Sequence, residues 1–217
     1  ILIVLLVLVL LAGGALWYFM TYRMDDFIAQ QIEEVGTETL ATQVTVGEVV
    51  TDLGGGSLTI SDITVANPAG FSNPNAFTLR GIEAAVDYGT FEVRRVIIED
   101  PAIVIEEIDG ETNIAELLAA AEQDVEAPPE EVAAGPPTIV IHHFRMNSSR
   151  AALESASLEL FSDLRVDTIE LRDIRGTPRE VGQAIAREVL EETAKAAAIE
   201  LMKAKAAQKL EQLFDRD

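Results

Sequence analysis

His142 and His143 are the two histidines of the chain, and they are adjacent. Imidazoles can ligate a metal or move a proton near neutral pH. Neighbours on a strand point to opposite faces, so this pair cannot form one chelate. The run Gly54-Gly55-Gly56 could bring backbone N–H groups to a phosphate, but the Lys-Ser/Thr of a phosphate loop does not follow it. Ser57 lacks the G-x-S-x-G setting of an activated nucleophile. Glu99/Asp100 and Glu106/Glu107 are paired carboxylates of the kind that acid–base catalysis uses. Their members are sequence neighbours, and on a strand they read as solvated edges. Asn147-Ser148-Ser149 is formally a glycosylation sequon, without meaning in a bacterial source. The chain has no cysteine, which excludes disulfides, thiolate metal sites and thiol nucleophiles. There is no H-E-x-x-H and no calcium-loop spacing. These residues point away from an enzyme, a cofactor or a metal, and toward binding.

The elements that would position a binding surface begin with residues 1–22, which carry no charge. As a helix they would reach about 33 Å at ~1.5 Å per residue, enough for a hydrocarbon core of ~30 Å. The expectation is one N-terminal transmembrane helix. Trp17, Tyr18, Phe19 and Tyr22 would form its membrane-interface belt. Ala12, Gly13, Gly14 and Ala15 lower the bulk of one turn and would let a second helix pair there. The rival reading is a signal peptide cleaved near those same small residues. Arg23 is followed by Asp25 and Asp26 with no basic cluster, a non-cytoplasmic flank that puts the following domain in the periplasm.

Residues 23–42 form a juxtamembrane helix or linker. Phe27, Ile28, Ile32 and Val35 fall at helical spacing, and Gly36 reads as a C-terminal cap. Residues 43–123 then alternate with period two. The alternation slips by one residue between Ile60 and Ile63, between Leu79 and Ile82, and later between Val166 and Ile169. A one-residue slip is what a β-bulge makes, and bulges curve a sheet. Pro101 marks a break, a bulge or an edge. Asn113 with Glu116 reads as the capping box of a short helix. Residues 124–137 are an acidic, proline-rich linker, 138–176 add about three strands, and 177–217 form a long helix. Thr177, Pro178 and Glu180 open that helix. The apolar stripe of the helix runs from Val181 to Leu201 and Met202, and it would either pack on the sheet or let the helix reach a partner or lie along the membrane. The fold class expected is α+β: the membrane helix, then a curved, mostly antiparallel sheet of about seven strands, with a short helix and a long C-terminal one. Val86, Ile103 and Ile105 mark its apolar face.

Composition sets the partners. Lys+Arg is 16 against Asp+Glu 37, a formal charge of −21. Residues 23–137 hold 23 acids and 4 bases, while 138–217 are nearly balanced. Nucleic acid is excluded, because phosphates demand a basic footprint. Flat adsorption on anionic lipid is disfavoured too. The acidic part is either a solubilising surface or a docking face for a basic partner.

The stretch Val93–Leu118, with Asp100-Pro101, Gly110, Asn113, Leu117 and Leu118, resembles the strand–break–strand–helix unit of AsmA-like proteins. Val44-Thr45-Val46-Gly47 through Asn67-Pro68-Ala69-Gly70-Phe71 is similar to short AsmA-like and DUF748-type proteins. The resemblance covers about a third of the chain. It implies a non-catalytic periplasmic domain on a bacterial inner membrane that binds lipid and supports envelope maintenance, and it implies no catalytic residues. About seven strands at ~4.8 Å give a sheet of roughly 30–35 Å, too short to bridge two membranes. The alternative is an accessory subunit of a larger respiratory, photosynthetic or transport complex. The expected partners are lipid, integral membrane subunits, or both.

Overall fold

The computed structural model describes residues 24–87, 90, 92–123 and 138–214. The apolar run 1–22, with its small-residue turn and aromatic cluster, lies outside the described residues, as does the linker 124–137. Among the described residues no helix is long and apolar enough to cross a membrane. The expected architecture is therefore corrected: the described fold is α+β without a transmembrane helix, and its sheet is larger and more mixed than expected.

Helix α1 covers 24–40. It does not stop at Gly36, which was expected to cap it. Gly36 lies against Val44, whose methyl carbons would be 3.1 Å from a Cβ placed there. The missing side chain allows close packing, and the turn comes later, at Ala41 with φ 49°. One turn apart, Glu33 and Thr37 accept hydrogen bonds from the backbone N–H groups of Val46 (2.8 Å) and Val44 (3.1 Å). This occupies the exposed donors of an edge strand, which would otherwise invite further pairing.

The sheet has ten strands: β1 (Val44–Val46), β2 (Val49–Asp52), β3 (Ser57–Ala66), β4 (Asn75–Asp87), β5 (Glu92–Ile108), β6 (Glu111–Thr112), β7 (Ile139–Met146), β8 (Ser149–Ser155), β9 (Leu160–Val166) and β10 (Ile169–Gly176). Its order is β1-β3-β4-β5-β7-β10, with β2 beside β3, β6 beside β5, and β8 between β5 and β9. Seven pairings are antiparallel; β5 pairs in parallel with both β7 and β8. A parallel pair needs a long crossover, and the segment holding helix α2 (Asn113–Ala121) and the linker supplies it.

The strand count exceeds the expected seven because β1/β2, β7/β8 and β9/β10 are three longer runs, each interrupted. The interruptions fall on one line. Val49, Ile60, Ile82, Ile98, Met146 and Ile169 form one buried row across the sheet. Val46, Ile63 and Leu79 with Pro101, and Ser149 with Val166, form the next inward-facing row, three residues away in every strand. The pairs between the rows are polar or glycine, among them Ser61/Asp62, Glu99/Asp100 and Asp167/Thr168. Gly81 sits on this line with φ 61°, a left-handed conformation that suits glycine. The slips seen in the sequence are thus in step. Because every strand shifts phase at the same row, pairing continues through it. The register shifts of the ladder lie elsewhere, at Val65/Ala66 and Ala85/Val86. Pro101 sits within an unbroken β5, in the gap where pairing passes from β7 to β8.

Helix α3 (Pro178–Phe214) packs on β9, β10 and α2. A reciprocal capping box opens it: Thr177 N–H donates to Glu180 (2.7 Å) and Glu180 N–H to the Thr177 hydroxyl (3.3 Å). The cap of helix α2 lies one residue before the expected one, with Thr112 accepting from Ala115 N–H at 3.1 Å and the helix starting at Asn113 itself. Asn113 is held elsewhere.

Candidate functional site

Polar residues that could do chemistry gather at the end of β5. Glu106 is buried, and its carboxylate accepts from the backbone N–H groups of Ser72 (2.8 Å) and Asn73 (2.7 Å) and from Asn67 Nδ2 (2.8 Å). Asn113 Nδ2 donates to Asn67 Oδ1 (2.7 Å) and to the Val104 carbonyl (2.9 Å). Its Oδ1 accepts from Glu106 N–H (3.0 Å) and Ile114 N–H (2.9 Å). Every hydrogen-bonding position of this buried amide is filled, as burial requires. Glu107, also buried, accepts from the Ser155 hydroxyl, the Ser157 hydroxyl and Gly110 N–H.

Burial pushes both carboxyls up, but the hydrogen bonds to the charged form outweigh it: those from Ser72 and Asn73 for Glu106, and those from Ser155 and Ser157 for Glu107 hold them below the ordinary value. These glutamates are not the solvated edge expected of them. They clamp the turn 67–74 and the β5–β6 and β8–β9 turns. An ionised, fully bonded carboxylate is a poor proton donor, so the cluster is structural.

His142 lies between Asp173 (Nδ1, 3.1 Å) and Glu92 (Nε2, 3.5 Å), on an exposed part of the sheet. The hydrogen bonds to Asp173 and then Glu92 hold its pKa above the ordinary value. His143 faces Glu170 instead, at 3.9 Å. The two rings therefore have different partners, and among the described residues no cluster could hold a metal. An open depression of about 570 Å³ lies between Asp167–Glu170 and α3, lined also by Arg145, Glu188 and Glu192. Its charges are mostly acidic.

The expected apolar sheet face is divided. Ile103 and Ile105 are fully buried, in one cluster with Ile114 and Leu117 of α2, while Val86 is half-buried near the opposite end of the sheet. Glu99 accepts from Asn147 Nδ2 (2.7 Å), and Asp100 lies 4.0 Å from Arg80, both exposed. The expected helix-pairing residues Ala12, Gly13, Gly14 and Ala15 and the interface residues Trp17, Tyr18, Phe19 and Tyr22 lie outside the described residues.

A further unpartnered feature is on α3, for which the sequence allows either packing on the sheet or a helix that reaches a partner or lies along the membrane. One inward-facing line of α3 recurs at every fourth residue, through Val181, Ile185, Val189, Thr193, Ala197 and Leu201; Val181, Thr193 and Ala197 on it are fully buried, the others half-buried, and Leu190 is buried beside it. At about 100° per residue this stripe drifts by roughly 40° per step. A second stripe begins where the first ends: Ile199, Met202, Leu210 and Leu213 are each more than half exposed. It is centred roughly 140° around the helix from Leu201. Met202 was expected in the buried stripe and is 62% exposed. The signal was in the spacing, since a four-residue repeat cannot keep one face inward over ten turns. No family model, curated protein or solved structure matches the chain.

Proposed function

We propose that the chain is a non-catalytic, membrane-associated domain, an AsmA-like unit at the periplasmic face of a bacterial inner membrane that serves envelope maintenance by attachment. One observation carries the reading: the far half of α3 exposes a continuous apolar stripe, the kind of surface that marks an interaction site. The polar clusters support it from the other side, because their donors and acceptors are satisfied internally. The complete burial of Ile103 and Ile105 in the core weighs against a lipid held there inside the sheet. It favours contact at the surface.

The same stripe favours a second reading, an accessory subunit of a larger inner-membrane complex. Gentle extraction into nanodiscs followed by native mass spectrometry separates the two. Retained lipid without stoichiometric protein partners supports the first. Stoichiometric partners, lost when Met202 and Leu213 are changed to Ser, support the second. A monodisperse chain with neither lipid nor partner overturns both.

A further inference from the structure

Resting on the reading of the chain as membrane-associated, we infer that the far half of α3, from Ile199 to Leu213, lies in the headgroup region of an anionic phospholipid surface, apolar side down. The stripe itself runs along 199, 202, 206, 210 and 213, with Ala206 filling its middle. Lys203 and Lys209 stand roughly 60° to either side of the stripe's centre, while Glu200 and Glu211 lie roughly 120–140° away. Lysines flanking an apolar stripe, with acids on the far side, suit an interfacial helix: the stems follow the apolar surface and the ammonium groups reach phosphate.

The arrangement fits a second copy of the chain less well. In a coiled-coil heptad containing Ile199, Met202, Ala206 and Leu213, the remaining seam position is Lys209. A lysine there weakens pairing. Two such helices would also bring their flanking lysines together.

Net charge is the apparent obstacle, because the chain carries −21. Its location removes the obstacle. From Met202 to Phe214 the helix has three lysines and one acid. Leu201 is the last residue of α3 packed on the core, so Phe214 stands about 20 Å beyond it at ~1.5 Å per residue. That exceeds two screening lengths of ~8 Å at physiological salt. Toward the tip, around Lys209 and Leu213, the acidic sheet is therefore screened from the surface, while at Ile199 and Met202 the apolar contact carries the helix. Each lysine at an anionic surface contributes roughly fivefold in affinity, so Lys203 and Lys209 together contribute roughly thirtyfold.

The chain has no cysteine, so single nitroxide labels can be placed cleanly in the full-length protein. Leu210→Cys, Leu213→Cys and, on the opposite side, Gln208→Cys are labelled and reconstituted in vesicles of phosphatidylglycerol with phosphatidylcholine, and in phosphatidylcholine alone. The expected result is a severalfold higher ratio of oxygen to nickel-chelate accessibility at 210 and 213 than at 208. The difference should shrink without phosphatidylglycerol, or when Lys203→Glu and Lys209→Glu are combined, with the melting temperature unchanged. Water-like accessibility at all three positions overturns the inference. So does spin–spin broadening between labels, which would identify a second copy, or lipid-like values that ignore headgroup charge. None of these outcomes alters which partners survive extraction, so the inference can fail while the proposed function stands.

Discussion

Around Glu106 the protein buries carboxylates and amides, and along the far half of α3 it exposes isoleucine, methionine and leucine. Each region runs against the usual sorting of side chains. At Glu106 the exception is complete inside the molecule, because each buried acceptor has donors and each amide has partners. On α3 the exception is left open, since nothing among the described residues covers the stripe. Unusual chemistry that is internally satisfied belongs to the fold. Unusual surface that is not satisfied points outward, to function.

Replacing Glu106 with Leu tests the first half of that contrast hardest. It leaves one N–H of Asn67 Nδ2 and the backbone N–H groups of Ser72 and Asn73 without an acceptor, and should cost about 3 kcal/mol or more. Urea denaturation measures it; a loss below ~1 kcal/mol would mean that water replaces the clamp. Helix α3 offers a comparison within one element. Leu190, which is buried, should cost about 3 kcal/mol as Leu190→Ala, against under ~0.5 kcal/mol for Leu213→Ala. Similar values would show that the overhang is packed after all.

The acid limb of stability is a smaller effect. Glu106 and Glu107 are held below the ordinary carboxyl value in the folded state. Their contribution is complete above the unfolded value of about 4.3 and is lost as pH falls through the folded values. The melting temperature should therefore hold from neutrality to mildly acid pH and drop below it. Glu106→Gln should flatten that drop, and an unchanged acid limb would remove Glu106 from the account. The smallest effect on stability belongs to Leu213→Asp, which should leave the unfolding free energy within ~0.5 kcal/mol of the parent while releasing the helix tip from anionic vesicles.

Part of this contrast is readable from the chain. The capping box at Thr177 and Glu180 stands in the sequence and closes in the structure, because such caps need residues only three apart. The slips at Ile60/Ile63, Leu79/Ile82 and Val166/Ile169 are equally local. The matching steps Ile98/Pro101 and Met146/Ser149 are disguised by a proline and a serine standing where apolar residues were sought. Glu106 and Glu107 looked like a solvated edge because their donors arrive from Asn67–Asn73 and Ser155–Ser157, dozens of residues away. The short helix was read one residue late for the same reason: Asn113 is a good cap on paper, but Asn67 and Glu106 hold its amide.

The sequence by itself determined the absence of thiol chemistry, the acidic balance, the period of each segment and the start of the long helix, since all of these depend on composition or near neighbours. Only the tertiary structure decided that β5 takes parallel partners, that the phase slips align into one line, that Ile103 and Ile105 are fully buried, and which apolar residues of α3 stay exposed. Each of these depends on contacts between segments far apart in the chain. One strand's pattern does not specify its partner, and a helix's apolar residues do not specify which of them the core will reach.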